Sequence, residues 1–260
     1  MDWLDALRLQ AEWGADEALL DIPQDRRHVP APPTTQAAPK PASAPIPLRR
    51  AEAASLAGPR EAAQLAARCT SLDALDAAMR SFEGCALKQT ATQLVFADGP
   101  HTAKLVIIGE APGADEDRTG KPFAGPAGLL LDKMLGSIGL DRTMVRIINA
   151  IPWRPPGNRP PSEAEIALCL PFLHRHIALV APQGVLALGA VASKAILGKQ
   201  AQAGVRRLRG QWHQAAIEGL QTPLPCLPSY HPAYLLRTPS AKKEAWADLL
   251  SLRAWLETQA

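Results

Sequence analysis

The sequence predicts an α/β fold, a three-layer α/β/α sandwich around a central, mostly parallel, four-stranded sheet. Near-continuous apolar runs recur at 103–109, 144–150 and 184–189, as expected of parallel strands that are buried on both faces. A fourth run approaches at 224–230. Segments with helical spacing of apolar residues separate these runs, and this alternation is typical of a parallel sheet with helices on both faces.

The N-terminal extension is predicted to lie outside this sandwich. Residues 1–20 place leucine and alanine at helical spacing beside acidic side chains, which predicts a short amphipathic helix. Residues 21–49 are rich in proline and alanine and almost lack large apolar residues, so they are predicted to be a disordered linker. The helix is either a docking segment for a protein partner or a poorly ordered tail.

The folded domain is predicted to span 50–260, with its core at 82–257. Alanine-rich sequence indicates helix over 50–82, and "TQLVF" indicates a short strand at 92–96. Further helices are expected where Pro126 and Ser162 provide typical N-terminal residues, and these later helices are predicted at 125–140, 162–180, 190–198 and 240–257.

Charge and cysteine content narrow the class of protein. Acidic side chains outnumber basic ones over residues 1–48, so the net charge of +3 conceals a more basic folded part, which suits a polyanionic partner. The four cysteines form no CxxC pair, the N-terminus lacks a basic signal region, and no apolar run approaches the ~20 residues of a membrane span. We therefore expect a cytoplasmic protein with reduced thiols and no membrane partner.

Three polar loops follow predicted strands. They are "GEAPGADEDRTGKPFAGPAG" at 109–128, "NAIPWRPPGNRPPS" at 149–162 and "SYHPAYLLR" at 229–237. Because parallel strands end at the same edge of a sheet, these loops are expected to form one crevice. The first loop is rich in glycine but matches neither GxxxxGK[ST] nor GxGxxG, which argues against a nucleoside triphosphate or dinucleotide site.

Together the three loops resemble family 4 of the uracil-DNA glycosylase superfamily, over about 82–257. The resemblance rests on "GEAPG" followed by "EDRTGKPFAGPAG", on an asparagine followed by "RPPGNR" and "C-x-PF", and on "HPAYLLR". It implies an enzyme that flips uracil out of single- or double-stranded DNA and hydrolyses its N-glycosidic bond, which starts base-excision repair. We expect the protein to act as a monomer.

The resemblance also implies roles for individual residues. Phe123 would stack on the base, Asn149 would read its Watson–Crick edge, and His231 would donate a hydrogen bond to the O2 atom as negative charge develops. Glu110 is the candidate for orienting water, although a dissociative path without a general base stays open. The backbone that lines the pocket would be that of Glu110, Ala111 and Pro112.

DNA contacts are expected from the same loops. Leu235 and Leu236 are candidates for a wedge that enters the base stack. Arginines of the loops are candidates for phosphate contacts, as are Lys121 and the run 205–211; these arginines are Arg154, Arg159 and Arg237.

Many members of family 4 hold a four-iron, four-sulfur cluster on four cysteines, and the resemblance indicates which positions those would be. Cys85 and Cys169 match two of them, whereas Phe82 and Trp153 occupy the other two. Since such clusters generally need four thiolates, we expect no cofactor and no bound metal. The two aromatic side chains are expected to fill the volume, with the two cysteines packed beside them as small apolar residues.

Two alternatives to the uracil-specific enzyme remain. A protein that binds uracil-containing or damaged DNA without turnover would keep the same pocket. A glycosylase with a broader range would also accept hypoxanthine or other deaminated bases, because discrimination depends on the shape of the pocket. The lack of histidine between Asn149 and His174 argues against covalent capture of DNA, which one branch of the superfamily carries out through a histidine in that region.

Overall fold

A computed structural model describes residues 57–259. The helix and linker predicted at 1–20 and 21–49 lie outside the described residues. Within residues 57–259, no helix is both long enough and apolar enough to cross a bilayer.

The sheet has five strands, in the order β2-β1-β3-β5-β4. Strands β2, β1, β3 and β5 are parallel, as the sequence predicted, and β4 pairs antiparallel with β5 at the edge. The prediction of four strands was therefore one short, because β4 has only three residues and too little pattern to detect. The strands are β1 (Leu105–Gly109), β2 (Val145–Asn149), β3 (Gly184–Leu188), β4 (His213–Ala215) and β5 (Leu224–Ser229).

Helices cover both faces of the sheet. The helix predicted at 50–82 is interrupted, because Ser71 begins a new helix by accepting a hydrogen bond from the Ala74 amide. The helices are α1 (Ala57–Arg68), α2 (Leu72–Ser81), α3 (Ala86–Thr90), α4 (Ala114–Thr119), α5 (Pro126–Gly136), α6 (Glu163–Val180), α7 (Gly189–Leu197), α8 (Val205–Leu208), α9 (Pro232–Arg237) and α10 (Lys242–Glu257). Single 3-10 turns lie at Pro156–Asn158, Gly198–Ala203 and Pro239–Ala241.

Successive residues of each parallel strand enter two different cores, which makes the fold three-layered. In β1, Val106 and Ile108 join the core that contains α1, α2 and α6. Leu105 and Ile107 join the core that contains α5 and α10. This alternation explains why the strands read as continuous apolar runs in the sequence.

Residues 92–96 do not form the predicted strand. The segment is held instead by the buried Asp117 carboxylate, which accepts hydrogen bonds from the Thr92 amide and hydroxyl. The only pairing with the sheet in this part of the described chain is an antiparallel bridge between Asp98 and Ile147. The apolar pattern of the segment reflects burial of an irregular segment beside the sheet.

His176 gives the fold a predictable sensitivity to acid. Its Nε2 atom accepts a hydrogen bond of 3.1 Å from Arg146 Nε in the core, and burial followed by the Arg146 charge lowers the pKa of His176 to about 3. A histidine in the unfolded chain titrates near 6.5. The folded state therefore binds fewer protons at His176 than the unfolded state does. The contribution of this residue to the free energy of unfolding is present above about pH 6.5 and is lost as the pH falls toward 3.

We expect the free energy of unfolding of the wild type to fall by about 2 kcal/mol more than that of His176→Gln between pH 7.5 and pH 5. Glutamine keeps an acceptor for Arg146 but does not titrate. Urea unfolding at the two pH values measures the difference, and equal losses in the two proteins would show that His176 is not the cause.

Candidate active site

Three candidate residues stand where parallel strands end. Asn149 is the last residue of β2, and it lies in register with Gly109, the last residue of β1. Glu110 follows β1 directly, and His231 follows β5 after one intervening residue. The carboxyl edge of a parallel sheet is the usual position of a ligand crevice, so the three loops meet as the sequence predicted.

Gly109 allows two of the candidate side chains to meet. A β-carbon built on Gly109 would lie 2.3 Å from Asn149 Oδ1 and 2.7 Å from Phe123 Cε2. Both distances are far below ordinary van der Waals contact, so the amide and the ring occupy the space that any larger residue would need. The absence of a side chain at Gly109 thus brings a flat apolar surface and a hydrogen-bonding amide to one point.

His231 is held in one tautomer. Its Nδ1 atom accepts a hydrogen bond of 3.1 Å from the Ala233 amide, so in the neutral ring the proton is on Nε2. Burial, with a smaller contribution from the Arg237 charge, lowers the pKa of His231 to about 4. At neutral pH the residue is therefore an uncharged imidazole with a defined N–H donor.

The His231 and Phe123 rings form an offset stack, with centroids 5.3 Å apart and planes 23° from parallel. A flat base laid on the same face of Phe123 would lie beside the imidazole, edge to edge. Because an Nε2–H bond lies in the imidazole plane, it would then lie close to the plane of the base.

A cavity of about 610 Å³ opens in front of these residues. Glu110, Ala111, His231 and Arg237 line it. Phe123 and Asn149 are not part of its wall, but both side chains approach Gly109, the residue before Glu110, and the Phe123 ring stacks on His231. Burial raises the pKa of Glu110, and the Arg237 charge partly opposes this effect. The cavity therefore combines a carboxyl group, a neutral hydrogen-bond donor and a cation.

A sequence profile of the uracil-DNA glycosylase superfamily matches residues 96–250, a range that contains all of these side chains. The chain belongs to the uracil-DNA glycosylase superfamily. A type-4 uracil-DNA glycosylase from Pyrobaculum aerophilum is 36% identical over 181 residues, which is 68% of this chain and 91% of that protein. The type-4 enzyme of Archaeoglobus fulgidus is also 36% identical, over 68% of this chain and 89% of that protein. A type-5 uracil-DNA glycosylase from P. aerophilum is 35% identical over only 38% of this chain and 50% of that protein.

Leu235 and Leu236, the two leucines predicted to form a DNA wedge, both lie in helix α9. The prediction treated 229–237 as a loop, but Pro232–Arg237 is helical, and consecutive helical residues point in different directions. Leu235 is 1% exposed and belongs to the core, whereas Leu236 is 44% exposed. Of the pair, only Leu236 is therefore available for contact with DNA.

The three loop arginines among the predicted phosphate contacts differ in their surroundings. Arg237 lines the cavity. Arg154 donates a hydrogen bond of 2.8 Å to Asn158 Oδ1 and lies 3.9 Å from the Asp117 carboxylate. Arg159 makes a two-pronged ion pair with Glu165 at the start of α6, and this arginine lowers the pKa of Glu165 to about 2.

Several residues of the cavity wall received no individual role in the sequence prediction. The Tyr230 and Tyr234 rings pack at a tilt of 43° with 5.0 Å between centroids. Both line the cavity together with Arg206, Asn158 and Gly189. Arg206 was included only within the basic run 205–211. Gly189 is detectable in principle, because it follows β3 at the same edge of the sheet as the other site residues.

The four positions that the family resemblance matches to iron–sulfur ligands, here called the buried corner, all lie in the core. Phe82, Cys85, Trp153 and Cys169 all belong to the same core cluster and are each at most 2% exposed. The Phe82 ring packs against Phe172 with 5.2 Å between centroids.

The residues of this corner do not fit a cluster. The interaction between the Cys85 and Cys169 thiols, together with burial, raises the pKa of Cys169 well above its usual range, whereas interaction with Cys169 lowers the pKa of Cys85 to about 7. One of the two cysteines is therefore disfavoured in the thiolate form that a metal requires. Within residues 57–259, no group of three or more His, Cys, Asp or Glu side chains is arranged to hold a metal ion.

Proposed function

We propose that this protein is a uracil-DNA glycosylase that hydrolyses the N-glycosidic bond of uracil in DNA and so starts base-excision repair. One observation carries the proposal: a neutral His231 with its proton on Nε2 lies beside the Phe123 ring, and Asn149 converges on the same point. Membership of the superfamily and the type-4 relatives support it. We infer further that the enzyme acts as a monomer in the cytoplasm.

Recognition of the base follows from the chemistry of Phe123 and Asn149. The flipped uracil stacks on the Phe123 ring, which supplies a flat surface of low polarity. The Asn149 amide offers a donor to uracil O4 and an acceptor to the N3–H. Thymine differs from uracil by a methyl group at C5, so the shape of the pocket decides whether thymine is excluded.

Cleavage breaks the bond between C1′ of the sugar and N1 of uracil. The bonding electron pair leaves with the base, and the resulting negative charge is shared with O2, where His231 Nε2–H donates a hydrogen bond. That bond strengthens as charge develops, so it stabilises the transition state more than the substrate. Water then adds to C1′ and yields its proton to the Glu110 carboxylate or to solvent.

We also propose that the enzyme works without an iron–sulfur cluster. The support for this proposal is the chemistry of the buried corner. Two of the four ligand positions hold Phe82 and Trp153, which have no metal-binding atoms, and only the free thiols of Cys85 and Cys169 remain. No step of the proposed reaction uses a metal. The consequence for stability is tested below.

The decisive assay uses oligonucleotides that contain one uracil, in single- and double-stranded form, with matched thymine and hypoxanthine oligonucleotides. Release of the base leaves an abasic site that alkali cleaves, so strand scission reports activity. We expect scission at uracil by the wild type and its loss in Asn149→Ala. Tight binding without scission would indicate a non-turnover binding protein, and equal scission at hypoxanthine would indicate a broader substrate range.

Leu236 is predicted to act as the wedge that fills the space left by the flipped nucleotide. We expect Leu236→Ala to lower kcat/KM on double-stranded uracil DNA on the order of tenfold, because about three buried carbon atoms are lost. The loss on single-stranded DNA should be smaller, since fewer stacked neighbours need replacing. Leu250→Ala removes a leucine of similar exposure, 45%, from α10 and serves as the control. Equal losses on both substrates would contradict the wedge role.

A further inference from the structure

Arg142 lies outside all three motif loops, in the turn between α5 and β2, yet it bonds directly to the loop that carries the stacking residue. Its Nη2 atom donates a hydrogen bond of 2.6 Å to the Phe123 carbonyl, and Nη1 donates one of 3.1 Å to the Pro122 carbonyl. The same guanidinium bonds to the carboxylates of Asp98, at 2.9 Å, and Asp132, at 2.7 Å. All three of its nitrogens are thus engaged in a rigid fork.

The Phe123 backbone needs such a partner because its conformation is strained. Its φ angle is +54°, in the left-handed region that a bulky side chain rarely adopts. The carbonyl that Arg142 holds is crowded on its other side by α5, since a β-carbon on Gly128 would lie 1.7 Å from the Phe123 oxygen. Strained residues persist where surrounding contacts determine them, and here those contacts come from Arg142 and the close approach of α5.

The anchor for Arg142 leads back to the strand that carries Asn149. Asp98 exchanges two backbone hydrogen bonds, of 2.8 and 2.9 Å, with Ile147 of β2. Arg142 therefore fixes the Phe123 loop relative to β2, two residues before Asn149. The Phe123 ring and the Asn149 amide are therefore both positioned relative to β2.

We propose that Arg142 is a positioning residue that holds Phe123 in the conformation needed to stack on uracil. The inference rests on the proposed glycosylase function. It assigns Arg142 no contact with the substrate, because its guanidinium bonds to the backbone of the loop and to two carboxylates. Its effect on the reaction passes through the Phe123 ring alone.

The test replaces Arg142 with lysine, which keeps the charge but cannot span two carbonyls and two carboxylates. Because stacking acts on substrate and transition state alike, we expect KM for a uracil oligonucleotide and Ki for free uracil to rise on the order of tenfold, while kcat changes by less than about threefold. Arg175→Lys is the control, since Arg175 also bonds a distant carbonyl, that of Cys69, but in the other core. Unchanged KM and Ki in Arg142→Lys would overturn the proposal.

A double-mutant cycle with Phe123→Ala separates positioning from general stability. If Arg142 acts through the ring, Arg142→Lys raises Ki no further once the ring is gone, whereas a general effect on the fold would add to it. Asp132→Asn weakens one anchor of Arg142 without touching the loop, and it should shift KM in the same direction to a smaller extent. It provides the readout if Arg142→Lys does not fold. If the wild type itself is inactive on uracil DNA, the proposed function is wrong. If the wild type is active but the effects of Arg142→Lys and Phe123→Ala on Ki add, only the positioning role of Arg142 is wrong.

Discussion

Replacing His231 with alanine is expected to lower kcat for uracil release by about 10²- to 10³-fold while KM stays nearly constant. The imidazole donates to an oxygen that becomes charged only as the glycosidic bond breaks, and removing one such preorganised donor costs this much in other enzymes. KM stays nearly constant because Phe123 and Asn149 still bind the base. Single-turnover strand scission measures the rate of the chemical step directly.

His101→Ala is the matched control, because His101 is an exposed histidine outside the cavity. We expect it to keep wild-type kcat. A proportional rise in KM for His231→Ala, with kcat preserved, would assign His231 to substrate binding and contradict its role in the transition state.

The pH dependence separates His231 from Glu110. The pKa of His231 is lowered to about 4, so the imidazole stays neutral at and above pH 6. Burial raises the pKa of Glu110 above its ordinary value, and a protonated carboxyl cannot accept a proton from water. If Glu110 takes that proton, kcat rises with pH through the Glu110 pKa and then levels off, and Glu110→Gln abolishes this acid limb.

The position of the candidate residues at one edge of the sheet was predictable because it depends on where the strands end. Asn149, Glu110 and His231 each follow a strongly apolar run, and the ends of parallel strands meet by geometry. Arg142 was not predictable in the same way. It acts on backbone carbonyls of a loop nineteen and twenty residues earlier in the chain, and only the folded backbone, with Phe123 at positive φ, shows why a donor is needed there.

Helix α9 illustrates a second kind of limit. "HPAYLLR" has a proline at the first helical position, which is a typical helix start, but a six-residue helix shows little periodicity. If the segment is treated as a loop, Leu235 and Leu236 are equivalent. Because it is a helix, Leu235 is a core residue and Leu236 is a surface residue. Strand β4 was missed for a similar reason, since a strand of three residues is too short to show a usable alternation.

Trp153 is expected to contribute more to stability than any other residue of the buried corner. It is 1% exposed and belongs to the core cluster that also contains Phe82, Cys85 and Cys169. We expect Trp153→Ala to lower the free energy of unfolding by about 3–5 kcal/mol, since a large buried ring is lost and the cavity cannot fully collapse. Trp246→Ala, at a tryptophan 43% exposed on α10, should cost much less. Urea unfolding measures both.

The same corner makes a matched prediction about iron. If aromatic packing has replaced a cluster, wild-type protein purified without oxygen contains no stoichiometric iron, and chelators leave its urea midpoint unchanged. Cys85→Ala should keep glycosylase activity and cost about 1 kcal/mol or less, because a buried thiol acts there as a small apolar group. Bound iron with visible absorption, or a fall in stability on chelation, would show that two thiols suffice for a metal and that the role of Trp153 is not only packing. The alternative outcome is that the wild type contains no iron and that Trp153→Ala strongly lowers the free energy of unfolding. In that case the side chains of the core provide the stability that a cluster would otherwise supply.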